Sequence, residues 1–226
     1  MSDGGSSLVL PAGSTLAALN TPATPQALTD ALATANDPAS HDSASLAHAL
    51  ASGTAQGLTA ALIALDAQLR LGPTLLPLTD RLAIDGRVLP RDGEALDAIV
   101  LPRRNAPSAL REHAGFRLGL AAQLTTHPPT PASPGHVTDA RLVWWGVAPA
   151  PLVAYQLAAV LRGRSLTPAL IDIAVQTARV EVQPAGAGME LNPARLLAVE
   201  QLCREILTTL QPRPAALPGP ALPGTS

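Results

Sequence analysis

The sequence contains no lysine, and all fifteen of its basic residues are arginine. This excludes a Schiff-base lysine and the phosphate-binding lysine of a Walker loop. Its single cysteine, Cys203, excludes an internal disulfide framework and is typical of a reducing compartment, so we expect a cytoplasmic protein. Only 2% of the residues are aromatic and the net charge is −2, which argues against nucleic acid or an anionic membrane as a partner.

Small and aliphatic side chains dominate what is present, and 47% of the 226 residues are hydrophobic. One uncharged run, residues 142–161, has the length of a membrane-spanning helix. Gly146, Pro149 and Pro151 interrupt this run, so it predicts a buried strand, a turn and a helix instead. Residues 1–7 carry no positively charged side chain, and no secretory signal is expected.

The C-terminal half has the most regular pattern. Residues 141–147 are rich in β-branched and aromatic side chains and predict a strand, paired antiparallel with an earlier strand that starts at Phe116. Three helices are predicted to follow. The first runs from Pro151 to Arg162, the second is capped by Thr167, and the third is capped by Asn192.

The whole pattern predicts an α+β protein in two parts. Residues 7–102 form the first part, and the charged, proline-containing stretch 103–108 is the predicted boundary. Its arginines Arg103 and Arg104 could bind an anion, but a solvated turn is the better interpretation. Residues 113–211 form the second part, a small antiparallel sheet packed on three helices. Residues 212–226 are rich in proline and predict a disordered tail.

Residue chemistry alone predicts neither a catalytic centre nor a metal site. The segment His41–Ser43 has the residue types of a hydrolytic triad, but three adjacent residues do not converge in space, so a polar loop is the better interpretation. His48 has no second ligand at metal spacing. Gly186–Gly188 lacks the preceding strand and the third glycine of a dinucleotide loop, and Cys203 is interpreted as a core residue.

Four stretches, in a fixed order, resemble the medium subunit of the molybdenum hydroxylases, the family of xanthine dehydrogenase and aerobic carbon monoxide dehydrogenase. Ala140–Pro151 is similar to the family's segment A-R-L-x-x-G-G-V-A-P-x-P, and Arg162–Thr167 is similar to its link L-x-G-x-x-L-T. Leu58–Leu71 resembles L-P-A-A-L-L-A-L-D-A-x-V-x-L, and Arg91–Pro102 resembles P-G-E-x-L-x-x-I-x-L-P. The resemblance implies a flavin-binding α+β domain, here incomplete, in front of the three-helix domain.

The sequence departs from the family where the resemblance places the flavin. In the family, two glycine-rich loops let the backbone approach the FAD diphosphate. The first, A-G-G-T-D-L, has no counterpart here, so we expect an N-terminally truncated member. The second corresponds to Asp37–Ala51, where Ala47 and His48 replace the paired glycines and Asp42 falls in place of the family's asparagine. A side chain at position 48 would occupy space that the diphosphate needs.

The resemblance also implies which residues lie nearest to the flavin. One group belongs to the segment Leu10–Thr15, which is similar to the family's I-G-A-x-T-T, and the other belongs to the altered loop. The six residues expected at the cofactor are Ala12, Ser14, Thr15, Ser45, Ala47 and His48.

The function implied by the resemblance is electron transfer within a molybdopterin-dependent hydroxylase, where FAD takes electrons from iron–sulfur clusters and passes them to an acceptor. The implied partners are a molybdopterin-binding large subunit and an iron–sulfur small subunit. A second hypothesis is a flavin-free structural subunit that keeps only the docking surface, because one glycine-rich loop is missing and the other is altered. A third, a stand-alone hydrolase, would use His41 and Ser43.

Overall fold

The computed structural model describes residues 7–34, 44–127, 135–185 and 192–212. Within these ranges the chain forms two four-stranded antiparallel sheets with helices packed against them. The predicted α+β class is therefore confirmed. The tail predicted from residue 212 onward lies, after Pro212, outside the described residues.

In its described residues, the first unit combines four short strands with three α-helices. Their order is β1 (Leu8–Pro11), α1 (Gln26–Thr34), α2 (Leu46–Ser52), α3 (Gln56–Ala64), β2 (Gln68–Leu71), β3 (Thr74–Pro77) and β4 (Ala98–Leu101). The strand order in its sheet is β1-β4-β2-β3. Helix α3 is buried along residues 58–64, as expected for a helix that is apolar on every side. It is the centre of the first core.

The second unit consists of β5 (Ser108–His113), β6 (Leu118–His127), β7 (His136–Trp145), β8 (Leu152–Val153), α4 (Tyr155–Leu161), α5 (Pro168–Ala185) and α6 (Pro193–Thr209). Its strands follow the order β5-β6-β7-β8. The antiparallel pair predicted for this half is confirmed as β6 and β7. Strand β5 was not predicted, because its second half is the polar run Arg111–His113, and the sheet therefore begins at Ser108.

The two tryptophans are adjacent in sequence but belong to different cores. Successive side chains of a strand point to opposite faces, so Leu142 and Trp144 pack on the three C-terminal helices while Val143 and Trp145 pack against the first unit. Trp144 is fully buried and Trp145 is 8% exposed. The second sheet therefore lies between the two cores and packs against one core with each face. Its tryptophans are packing residues.

The prediction that a helix starts at Pro151 is wrong. After Gly146 the chain turns back, and Leu152 and Val153 form strand β8, which pairs with β7. Proline cannot donate a ladder hydrogen bond, but the apolar, partly β-branched pair that follows it can extend the sheet edge. Helix α4 begins only at Tyr155, where the Glu181 carboxylate of α5 accepts hydrogen bonds from the next two backbone amides, at 2.7 and 3.1 Å.

The other two helix starts are as predicted. The Thr167 hydroxyl accepts the Leu170 amide at 3.2 Å, and the Asn192 side chain accepts the Arg195 amide at 2.9 Å. Cys203 is fully buried in the core between these helices and the sheet, and burial raises the pKa of its thiol to about 12. A thiol of this kind is a core residue and not a nucleophile.

A charged network joins the two units. Asp66, which follows α3 in a left-handed backbone conformation, accepts hydrogen bonds from Arg104 at 2.6 Å and from Arg141 of β7. Asp139 accepts from Arg104 and from Arg162. Arg104 is exposed, in agreement with the predicted solvated turn, but its side chain also connects both units through these ion pairs.

The glutamate of the family-like segment Arg91–Pro102 fixes a surface turn. Glu94 accepts two hydrogen bonds from the Arg81 guanidinium, at 3.0 and 3.2 Å, and one from the Arg91 amide. These bonds, the Arg81 contact above all, lower the pKa of Glu94 below its usual value. A carboxyl group with a lowered pKa in the folded state stabilises the fold above its unfolded-state pKa.

We therefore expect the stabilisation from Glu94 to be lost as the pH falls through its folded-state pKa. In the variant Arg81→Gln the main cause of the lowered pKa is removed, so the free energy of unfolding should fall less steeply between about pH 6 and pH 3 than in the wild type. Urea unfolding at several pH values measures this. Identical slopes in both proteins would contradict the assignment.

Candidate functional site

The two segments predicted to lie at the cofactor meet in the structure. The turn after β1 and the start of α2 are joined by an antiparallel backbone bridge between Thr15 and Ser45. On either side of it, the Leu46 amide donates to the Ser14 carbonyl and the Ala47 amide donates to the Ala12 carbonyl, both at 2.9 Å. All six predicted residues thus belong to one small surface region. Their binding to a flavin stays a prediction.

The side chains of this region differ in the contacts that they can form with a ligand. Ala12 is buried and contributes only its backbone. Ser14, Thr15 and Ser45 are partly exposed hydroxyl residues, each with a hydrogen that can be donated to an anion. His48 is exposed on the first turn of α2. The hydroxyl groups can donate to an anionic ligand, and the resemblance predicts that the imidazole stands in place of the family's second glycine.

The amides at the start of α2 are already used. The first amides of a helix have no partner within the helix and commonly bind phosphate groups. Here the Leu46 and Ala47 amides donate to the turn after β1, and the His48 amide donates to the Ser45 hydroxyl at 3.2 Å. The Ala49 amide donates to the Ser45 carbonyl at 3.0 Å. A diphosphate would have to displace these acceptors.

In the described part of this region, the backbone amides of Leu46, Ala47 and His48 are engaged within the protein and are not free to donate to a diphosphate. According to the resemblance, Ala47 and His48 stand where the family has glycine.

The other candidate sites from the sequence receive no support from the structure. The segments His41–Ser43 and Gly186–Gly188 lie outside the described residues. Among the described residues, no group of three histidine, cysteine or acidic side chains could hold a metal ion. In the same residues, no helix is long and apolar enough to cross a membrane.

Two polar residues were missed by sequence reasoning. Gln123 and Ser108 lie side by side on β6 and β5 and are buried, with 5% and 8% of their surface exposed. A signal was present for the first, because Gln123 interrupts the otherwise apolar run Leu118–Leu124. A lone polar residue in a buried strand needs a partner.

The comparisons with known proteins agree with this architecture. Residues 119–210 match the CO dehydrogenase flavoprotein C-terminal domain. No curated protein matches the chain. A chain of the carbon monoxide dehydrogenase from Hydrogenophaga pseudoflava superimposes with a TM-score of 0.74 at 21% identity, covering 92% of this chain and 76% of that one.

Two further structures share the fold. A chain of the reconstituted CO dehydrogenase from Oligotropha carboxidovorans gives a TM-score of 0.70 at 22% identity, covering 91% of this chain and 76% of that one. A chain of quinoline 2-oxidoreductase from Pseudomonas putida 86 gives 0.71 at 16% identity, covering 92% and 76%. The resemblance to the FAD-binding subunits of molybdenum hydroxylases is thus confirmed, by the family of the C-terminal domain and by the fold of the remainder.

Proposed function

We propose that this chain is the medium-type subunit of a molybdopterin-dependent hydroxylase complex. In that family, the medium subunit is an electron-transfer flavoprotein. The observation that carries the proposal is the match of residues 119–210 to the CO dehydrogenase flavoprotein C-terminal domain, a range that holds most of β6, strands β7 and β8, and the three helices α4, α5 and α6. The partners would be a molybdopterin-binding large subunit and an iron–sulfur small subunit, and we expect the complex in the cytoplasm.

One form of this role is electron transfer. When bound, FAD would accept electrons from iron–sulfur clusters and deliver them to an acceptor. The groups of this chain available to position it are the hydroxyls of Ser14, Thr15 and Ser45, beside Ala12, Ala47 and His48. The convergence of these two segments supports this form.

The other form is a flavin-free docking subunit of the same complex. It is supported by the engaged amides of Leu46, Ala47 and His48 and by the side chains that replace the paired glycines. A diphosphate is bound mainly through backbone N–H donors. Because these donors are engaged here, the geometry of the described residues favours the flavin-free form. The conclusion is a subunit that docks in the complex without holding the flavin at this loop.

Co-purification tests the proposal. The full chain, carrying an affinity tag, is co-expressed with the molybdopterin and iron–sulfur subunits that we expect to be encoded beside it. We expect both to be retained with the chain in equal amounts. The control is the same pair of subunits expressed with the tag alone. Recovery of the tagged chain by itself, while the two other subunits assemble with each other, would contradict the docking role.

A further inference from the structure

A cavity of about 630 Å³ lies at the junction of the two units, and its volume is within the range of small-molecule sites. Leu8, the first residue of β1, lines it, whereas Ala12 and the candidate flavin region follow the last residue of β1. The cavity and the flavin region are therefore at opposite ends of that strand.

A buried amide faces this cavity. Gln123 of β6 lines it and is 5% exposed, and no described residue forms a hydrogen bond with its side chain. Its amide group is accessible from the cavity and is free to bind a molecule there. A ligand or ordered water in the cavity would satisfy it.

A buried hydroxyl stands next to this amide. Ser108 of β5 is paired with Gln123 across the sheet, lines the same cavity and is 8% exposed. Its oxygen accepts the Ala27 amide at 3.2 Å. A hydroxyl that accepts one bond keeps its own hydrogen as a donor, so the cavity wall offers a second donor beside the amide.

The charge of the lining is positive. Arg103 and Arg104 line the cavity, and no aspartate or glutamate does. Arg104 is engaged by Asp66, but Arg103 is exposed and has no ion pair with any described residue. The remaining wall is largely apolar, through the side chains of Leu8, Leu65, Leu101 and Leu210.

We propose that this cavity binds a small monocarboxylate with an apolar body. The carboxylate would accept hydrogen bonds from Arg103, from the Gln123 amide and from the Ser108 hydroxyl, all of which can donate. An ionised carboxylate only accepts, so it matches this set. The apolar body would lie on the leucine wall. The site does not depend on a flavin or on the docking role proposed above.

Calorimetric titration of the full chain with benzoate tests this proposal, with benzyl alcohol as the neutral analogue of similar shape. The wild type should bind benzoate in preference to benzyl alcohol. Arg103→Gln and Gln123→Leu should each weaken benzoate binding about tenfold or more. Arg164→Gln, an exposed arginine outside the cavity lining, is the matched control and should leave the affinity unchanged.

Three results would overturn it: no heat of binding with millimolar benzoate, equal binding of benzyl alcohol, or benzoate affinity that neither cavity variant changes. In the first case, ordered water would be the hydrogen-bond partner of the Gln123 amide. Thermal unfolding of each variant establishes that it is folded. Arg103 is a surface residue, so its variant decides the question even if Gln123→Leu does not fold.

Discussion

Replacing Gly146 by alanine is expected to lower the free energy of unfolding by about 4 kcal/mol or more, a large share of the roughly 5–15 kcal/mol that stabilises a typical domain. This glycine directly follows β7 and has a φ of +76°. A Cβ built there would lie 2.1 Å from the carbonyl oxygen of Arg117 and 2.8 Å from the Cα of Leu118. Both are backbone atoms of the adjoining turn and strand, so no side-chain rotation can relieve the overlap, and the strands would have to separate.

Gly163→Ala is the matched control. Gly163 has nearly the same φ, +74°, but nothing lies within 4 Å of a Cβ built on it. The Gly163→Ala variant therefore has the backbone strain of a positive φ without a steric overlap. Strain of this kind is expected to lower the free energy of unfolding by about 1 kcal/mol. Urea unfolding of both variants measures the difference. Equal losses would show that the approach of Arg117 is not what requires glycine at position 146.

Gly119→Ala is the second substitution with a large expected effect, about 3 kcal/mol of destabilisation. Its Cβ would lie 2.5 Å from the Arg111 carbonyl oxygen and 2.5 Å from the indole nitrogen of Trp145. The Arg111 carbonyl oxygen is a backbone atom, so a rotation of the indole alone would not relieve both overlaps. We expect a shift of the tryptophan fluorescence along with the loss of stability.

Gly57→Ala provides a control of opposite sign on the same tryptophan. Its Cβ would meet the Trp145 ring at 3.4 Å, an ordinary contact, and alanine is favoured over glycine within a helix by about 1 kcal/mol. The variant should be as stable as the wild type or more stable. A large loss for Gly57→Ala, or none for Gly119→Ala, would contradict the described position of the indole between the two glycines.

Sequence reasoning succeeded where local chemistry determines structure. The capping residues Thr167 and Asn192 predicted the starts of α5 and α6, because a cap and the proline after it act within a few residues. It failed at Pro151, where the short strand β8 forms only because β7 offers it an edge. It also missed β5, whose pairing with β6 overrides the polar character of its second half.

The candidate site was predictable in position but not in detail. The family resemblance placed Ala12–Thr15 and Ser45–His48 near each other, and the backbone bridge between Thr15 and Ser45 brings them together. Which amides are engaged could not be read from the sequence, since the acceptors for Leu46 and Ala47 lie more than thirty residues away in the chain. The cavity around Gln123 likewise requires both units to be in place.

The flavin content of the purified complex tests the central claim most directly. The complex of this chain with its molybdopterin and iron–sulfur subunits is denatured, and released FAD is measured by fluorescence against the amount of this chain. The account predicts that the chain is present in the complex and that no stoichiometric FAD is released. One FAD for each copy of the chain, retained through gel filtration, would contradict the flavin-free docking role and would restore electron transfer as its function.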